Sequence, residues 1–446
     1  MSTVIGLLGI ALAFFVVIFF TYKGFHLAYV VIIAILIVFI TNGMPILETF
    51  ADPVMTGVAR QVPTLLPLYL FGAIFGKMFI DSGAAHSVSH TLLNILGKNA
   101  SPARIRIIGC VCIVIMDVIF NFVGVDPFAS LFTMIGIATG IMSEADIPRK
   151  YMPVLLVLGA TIGSVLPGSL AVPNILCIDL LGTSAYSAPI PGFIFVVFVM
   201  GSSMWYINKM IKKDVADGVN FEYGPLEPLT IDKDNQPPFI LSAIPLFIIP
   251  ICFNTITKGA PWAAMGIGCI SGIICFGRYI PKKDGTSRIM TIADSMNNGV
   301  TIAGIPAIIL LNYALGYAIE AAPSFKTIID AFTSLPGPAL LSLAFMGTLL
   351  LGAAASASGL IISLGVAASV YIPTLGVSPE AAHRVLLLTT TVLDSLPFCG
   401  AIVALMAITG IKYKEGYPPI AATTVLFTFI GVLLVTGLLI VFPGLA

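Results

Sequence analysis

Charge is what this chain has least of. Asp, Glu, Lys and Arg make up 9% of its 446 residues, against about 25% in an ordinary soluble domain. So few charges could not cover the surface of a soluble globule. Hydrophobic residues reach 58%, and the chain reads as an all-α polytopic membrane protein. Neither sign of charge is in excess, Lys+Arg and Asp+Glu each numbering 21, and no charge run occurs. Nucleic acid is thereby excluded as a partner, and intrinsic disorder as a state. The cysteines (Cys110, Cys112, Cys177, Cys252, Cys269, Cys275 and Cys399) all lie in apolar stretches without a CxxC pair. They read as small buried hydrophobes. His26, His86, His90 and His383 are scattered without metal-ligand spacing, so neither a metal nor another cofactor is expected. HExxH, GxSxG and GxxxxGK[ST] are absent, which argues against an intramembrane enzyme and against nucleotide-driven pumping. Residues 1–20 carry no Lys or Arg ahead of their apolar run and no small-residue cleavage site after it. They read as a first transmembrane helix rather than a signal peptide.

A helix crosses about 30 Å of hydrocarbon with roughly 20 apolar residues. Candidate spans are 4–20, 27–41, 65–80, 152–178, 190–207, 239–253, 262–279, 300–318, 385–411 and 420–442. Two further apolar stretches, 107–142 and 339–372, are too long for one crossing. Residues 208–237 are the one ordinary hydrophilic stretch. They read as a cytoplasmic linker between membrane halves 1–207 and 238–446. Basic clusters mark cytoplasmic loops: Lys98/Arg104/Arg106, Arg149/Lys150, Lys209/Lys212/Lys213 and Arg278/Lys282/Lys283/Arg288.

The two halves resemble each other. In the first, the long apolar stretch carries NFVGVDP (121–127), then a Pro-bearing loop, ADIPRKYMPVLL, then a helix interrupted by SVLPGSLAVPN (164–174). In the second, the long stretch carries GAAASASG (352–359), then LGVSPEAAHRVLL, then a helix interrupted by DSLPFCGA (394–401). Aligning Leu166-Pro167 with Leu396-Pro397 sets Asp126 opposite Ser356 and brings Pro148 and Pro379 within one residue of register. A stretch too long for one crossing, with its polar group in the middle, suits a hairpin that enters the membrane and returns. Basic residues flank the first hairpin (about 107–143) and not the second (about 339–375), so the hairpins open to opposite faces. The expected fold is an inverted-topology repeat, each unit holding a re-entrant hairpin and a broken transmembrane helix (about 152–178 and 385–411). Transporters of this kind bind substrate near the midplane, between the repeats.

Candidate residues follow from what broken helices offer. Non-helical backbone at membrane depth persists only when buried in protein or lining a wet cavity. Freed N–H groups at a half-helix start suit a carboxylate, and freed carbonyls with Ser, Asn or Asp oxygens suit a cation. The substrate candidates are Asn121 and Gly124 at the first hairpin tip and Ser164, Gly168, Ser169 and Asn174 at the first break. Ser356, Ser358 and Gly359 at the second tip and Ser395 at the second break complete the set. The plainer reading of these small residues is helix packing. An Asp at the bilayer centre costs roughly 2.5–3.5 kcal/mol on insertion scales, so Asp126, Asp394 and Asp117 are the candidates for ion coupling. Asp126 would also cap the helix starting at Pro127. Asn297 and Asn298 read as helix caps. Lys77 and Asp81 read as side chains reaching for the interface.

The stretches LFGAIFGKMFIDSGAAHSVSHTLLNILGK, FNFVGVDPF, LPGSLAVPN and LDSLPFCGAIVALMAITGIKYKE resemble the gluconate permease family, within the ion-transporter superfamily of organic-anion carriers. The likeness runs from about residue 65 to 415. It implies cation-coupled symport of a sugar acid or another small organic anion across a bacterial inner membrane. It also implies an elevator-like movement of a unit holding both hairpins, in a homodimer. Family members tend to carry a histidine in the first break, where LPGSLAVPN has none, and a more polar second break than DSLPFCG. Both departures point to a smaller or less hydroxylated acid than gluconate. Proton coupling follows from the resemblance. The residues alone leave proton and sodium open, and a sodium-coupled di- or tricarboxylate symporter of the same superfamily is the alternative. A channel is the more distant one.

Overall fold

The computed structural model describes residues 3–446 except 24, 26, 97–99, 123–126, 170, 227–235, 258–259, 283–284, 304–309, 335, 355–362, 364 and 366. Among the described residues every regular element is helical. The chain opens with the antiparallel pair α1 (Thr3–Tyr22) and α2 (Leu27–Asn42). Val4, Leu8, Leu12 and Phe15 recur about a turn apart on α1 and are exposed, while Ile10, Ala13 and Val17 are buried on its other side. An exposed apolar stripe of this kind suits contact with lipid. Next come α3 (Thr56–Asp81), α4 (Ala84–Leu96), the pair α5 (Pro102–Phe122) and α6 (Pro127–Ala145), then α7 (Met152–Val165), α8 (Val172–Leu181) and α9 (Pro189–Ala216).

The second half follows a similar course, with one more described helix of several turns between its opening pair and its hairpin. A helix pair, α10 (Phe239–Thr255) and α11 (Pro261–Phe276), precedes α12 (Arg288–Ala303), α13 (Leu310–Glu320) and α14 (Pro323–Thr333). Then come α15 (Ala339–Ala354), a helical return through Ala367–Tyr371 and Ile372–Leu375, α16 (Pro379–Thr389), α17 (Gly400–Thr409) and α18 (Tyr413–Val441). Five helices among the described residues are long and apolar enough to cross a membrane, α1, α5, α9 and α18 among them.

The α5–α6 pair is a hairpin. Arg106 near the start of α5 binds Asp146 just past the end of α6, Nη2 to Oδ2 at 2.8 Å and Nε to the carbonyl at 3.0 Å. In the second half, Ser342 near the start of α15 meets the Tyr371 hydroxyl of the returning stretch at 2.9 Å.

Each hairpin lies against the helix that follows it, and glycines set the distance. A Cβ on Gly159 of α7 would sit 2.6 Å from the Asp117 Cβ, and one on Gly163 would sit 2.6 Å from the Val118 carbonyl oxygen. In the second half the glycines are on the hairpin. A Cβ on Gly347 of α15 would sit 2.7 Å from Thr389 Oγ1, and one on Gly352 would collide with the Leu393 side chain. One constant shift in residue number carries the contact of Asp117 with Gly159 onto that of Gly347 with Thr389.

Helices α7 and α8 are the two parts of one broken helix, and α16 and α17 of another. They run antiparallel. Arg149, just before α7, donates to the Thr409 carbonyl at the end of α17. At the other end, His383 of α16 meets Thr183 beyond α8 at 2.6 Å.

Three expectations are corrected. First, α9 continues to Ala216, so residues 208–216 are helix rather than linker. Part of the remaining linker is docked: Phe221 N donates to Asp146 Oδ1 at 3.0 Å, the Tyr223 and Ser143 hydroxyls meet at 2.9 Å, and Leu226 is buried. Its few apolar side chains find a surface to cover. Second, Lys77 and Asp81 do not reach an interface. Both are buried and paired at 2.7 Å, and Ser295 Oγ donates to Asp81 Oδ2 at 2.8 Å. Helix α12 closes over them so tightly that a Cβ on Gly299 would lie 2.7 Å from Ile74 Cα. Third, Asn297 and Asn298 are not caps but exposed residues inside α12.

Gly163→Ala is expected to lower Tm by several degrees, because overpacking against backbone costs about 1–3 kcal/mol. Gly201→Ala, with open space around its Cβ position, should not lower it. Equal Tm values in thermal unfolding of the purified variants would refute the close crossing.

Candidate functional site

Helix α7 ends where Pro167 brings no N–H and Gly168 takes φ 90°, a left-handed conformation that glycine adopts without cost. The Ser169 amide closes the turn on the Leu166 carbonyl at 2.9 Å, and the Gly168 amide is taken by the Ala185 carbonyl at 2.9 Å. The Tyr186 ring lies so close to Gly168 that a Cβ there would meet its hydroxyl at 2.6 Å. Ser169 Oγ accepts from the Ala171 amide at 3.2 Å, and Asn174 Nδ2 donates to the Ser169 carbonyl at 2.5 Å. That leaves Asn174 Oδ1 to accept from His383 Nε2 at 2.8 Å. The imidazole therefore carries a proton on Nε2, and its Nδ1 meets the Thr183 hydroxyl, which also reaches the Cys177 carbonyl at 3.3 Å. Arg384, the next residue, donates through Nη1 to the Val165 carbonyl at 3.0 Å. Its Nε and Nη2 donate to the Ser187 carbonyl at 2.9 and 2.5 Å. Two neighbouring side chains of α16 thus hold both lips of the first break.

The second break has the same turn. The Cys399 amide donates to the Leu396 carbonyl at 2.9 Å. The shift in residue number that relates the hairpin crossings also carries the Ser169–Leu166 bond onto this one. Here threonine hydroxyls add bonds to carbonyls of the last turn of α16, two of which also accept the Thr390 and Thr391 amides. The hydroxyls of Thr389, Thr390 and Thr391 donate to Leu386, Leu387 and Leu388, each at 2.7 Å. Asp394 follows. It is exposed, and no hydrogen bond or ion pair engages it among the described residues. Its neighbour Ser395 is buried.

A third polar group lies at the first hairpin. Asp117 is buried and accepts at Oδ1 from the Ser130 hydroxyl and from Asn121 Nδ2, the latter at 3.2 Å. Asn121 Oδ1 is buried, with no partner among the described residues. The group joins both arms of the hairpin, and through Gly159 and Gly163 it faces α7 a few residues before the break.

The sequence-derived candidates thus separate into groups. Ser169, Asn174 and Gly168 meet at the first break, with Ser164 half-buried beside it and its hydroxyl on the Thr161 carbonyl at 3.0 Å. Asp117 and Asn121 meet each other. Asp394 and Ser395 share the second break. Gly124, Asp126, Ser356, Ser358 and Gly359 lie outside the described residues. Among the described residues no group of three or more His, Cys, Asp or Glu is placed to hold a metal.

The sequence pattern of GntP family permeases matches residues 1–396. The chain belongs to that family. Members of this family are transporters, not enzymes, and the chain is a multi-pass protein of the inner membrane. It is 26% identical to the uncharacterized transporter YxjC of Bacillus subtilis, over 96% of this chain and 99% of that one. It is 29% identical to the high-affinity gluconate transporter of Escherichia coli, over 32% of this chain and 31% of that one. Among solved structures, the YdaH transporter of Alcanivorax borkumensis covers 89% of each chain at 14% identity, with a TM-score of 0.32.

Four residues of this permease's sites had escaped the sequence reading: Ser130, Thr183, His383 and Arg384. Ser130 and Asp117 sit on opposite arms and meet only because the hairpin folds. His383 and Arg384 sit in AAHRVLLLT, at a helix start where polar residues are ordinary. The one signal was their place ahead of a long apolar run. Gly159 and Gly163 form GxxxG, a legible sign of close helix packing.

Ser130→Ala takes a hydroxyl donor from the Asp117 carboxyl in a buried place, a loss of about 1–3 kcal/mol. The expected result is a lower Tm in detergent. An unchanged Tm would mean that these two side chains do not meet.

Proposed function

We propose that this permease is a secondary active importer that carries a small organic carboxylate together with a coupling cation, most simply a proton. The observation that carries this reading is the pairing of two antiparallel broken helices with matching turns, Leu166–Ser169 and Leu396–Cys399. The common shift that relates the turns and the hairpin crossings supports an internal repeat, and the antiparallel course supports its inversion. Asn121, at the end of α5, packs beside Gly163, which supports a hairpin whose tip reaches the break.

In this mechanism the carboxylate docks at the first break, where the start of α8 presents amides with a positive dipole end and Ser164 supplies a hydroxyl. Asp394 stands open at the second break and takes up the coupling ion, with Asp126 and Asp117 as the further coupling groups. A carboxylate alone at membrane depth is costly, so proton or sodium binding favours the loaded unit that crosses. The hairpins and broken helices move as an elevator unit against the remaining helices, in a homodimer. The name of the Escherichia coli relative supports a sugar acid as the substrate class. The apolar Pro-Phe-Cys of the second break, with no histidine in the first, favours a smaller hydroxy acid. Sodium-coupled di- or tricarboxylate symport is the second reading, favoured by the Asn121 oxygen beside Asp117, which has no partner among the described residues and adds an oxygen suited to a cation.

Uptake into proteoliposomes of labelled gluconate, glycerate and lactate tests this, with a proton gradient, a sodium gradient, or neither. Accumulation is expected with the proton gradient and in the wild type alone. Asp394→Asn should lose accumulation by tenfold or more while eluting as a folded protein. Flux independent of any gradient would reject coupling, and wild-type accumulation by the variant would remove Asp394 from the mechanism. Cysteines placed at Arg104 and Pro338 should label from opposite faces with an impermeant maleimide. Labelling of both from one face would end the inverted arrangement.

A further inference from the structure

Arg384 is fully buried, and among the described residues nothing acidic answers its charge. The ion pairs there are Lys77–Asp81, His86–Glu144, Arg106–Asp146, Lys150–Asp214 and Lys326–Asp330. Arg384 is in none of them. Lys77, also buried, is neutralised by Asp81. His383 beside Arg384 bonds Thr183 and Asn174 and supplies no negative charge. Arg384 spends three of its five N–H groups on two carbonyls, that of Val165 at the negative end of α7 and that of Ser187. Carbonyl dipoles ease the burial of a charge but supply no counter-charge, and a buried charge without one is costly. The same carbonyl grip holds strained backbone. Ala188, next to Ser187, takes φ 43°, which a side chain bearing a Cβ rarely adopts.

The charge lies beside the first break. The Pro167 ring carbon Cγ and the Arg384 guanidinium carbon lie 2.8 and 3.0 Å from one point, the Cβ position of Gly192. The guanidinium and the proline of the turn are therefore close neighbours. An anion seated at that turn would lie near the guanidinium, and unit charges close together in a protein interior attract strongly. We infer that Arg384 is the fixed positive charge that draws an anion to the Pro167–Ser169 turn, a specificity residue that acts through its field rather than by touching the substrate. The inference rests on the proposal above that the cargo is an organic anion. It adds which residue selects for negative charge, and the consequence that a neutral analogue of the same acid gains nothing from the site.

The test cancels the charge without removing the arginine. Cys177 of α8 is buried and within electrostatic range of Arg384, so Cys177→Asp sets a carboxylate against it and leaves the carbonyl bonds in place. Cys177→Asn is the neutral control. Arg384→Gln and Arg384→Lys complete the set, all checked for a single folded species by size exclusion. The readouts are the KM for labelled gluconate or glycerate and the inhibition constant of the corresponding amide. Cys177→Asp and Arg384→Gln should raise KM tenfold or more, while Cys177→Asn and Arg384→Lys stay within about threefold. The amide constant should not move, whereas a merely architectural role would shift both. A wild-type KM in Cys177→Asp overturns the inference, as does equal impairment of Arg384→Lys and Arg384→Gln. If Arg384→Gln does not fold, Cys177→Asp decides. If the wild type takes up no organic acid at all, the transport reading falls, and this inference with it.

Discussion

A peptide group inside a bilayer has no water to bond to, and the architecture of this permease follows from that constraint. Two helices are interrupted partway along, and each interruption frees donors and acceptors that must find partners in the protein. At the first break the partners come from elsewhere in the chain: Ala185 takes the Gly168 amide, Arg384 takes the Val165 carbonyl, and Asn174 takes the Ser169 carbonyl. At the second the bonds are local: the Thr390 and Thr391 amides take the Leu387 and Leu388 carbonyls, and three successive threonine hydroxyls bond in the same turn. The first break is therefore held from its own half through Ala185 and Asn174 and from the other half through Arg384, while the bonds at the second are local.

The two halves share a register but not a chemistry. Where the first hairpin presents Asp117 to a glycine, the second presents a glycine to Thr389. Bulk and smallness have changed places across the same contact, so the crossing distance is kept while the carboxyl group exists on one side only. A similar division separates the breaks, with a buried cation at one and an open carboxylate at the other. Under the proposed function, an anion and a coupling cation would then have distinct places.

Helices, breaks and their matching turns were legible in the sequence because each has a local cause. Apolar runs of a given length make spans, and Pro-Gly or Pro-Phe after a leucine stops a helix whatever lies around it. Partners across the fold were not legible. Lys77 and Asp81 looked like residues seeking an interface because α12, which covers them, belongs to the other half of the chain. Arg384 looked like an ordinary polar residue near a helix start, since its burial depends on Val165 and Ser187 in the other half. Asn297 and Asn298 looked like caps because the helix that contains them begins earlier, at Arg288. The linker looked wholly water-facing because Phe221, Tyr223 and Leu226 are too few to show as a hydrophobic run.

That linker is docked against the base of the first hairpin and the helix ends beside it. Phe221 and Tyr223 hold the base of the first hairpin, Gly224 lies against Arg149, and Pro225 against Gly410 at the end of α17. One short stretch thus touches three of the elements that an elevator would shift. A chain severed between residues 226 and 238 would still keep this splint on its amino-terminal fragment. A cut between 216 and 221 would hand it to the other fragment, and two halves produced separately would have to meet without a strap already fastened to the hairpin.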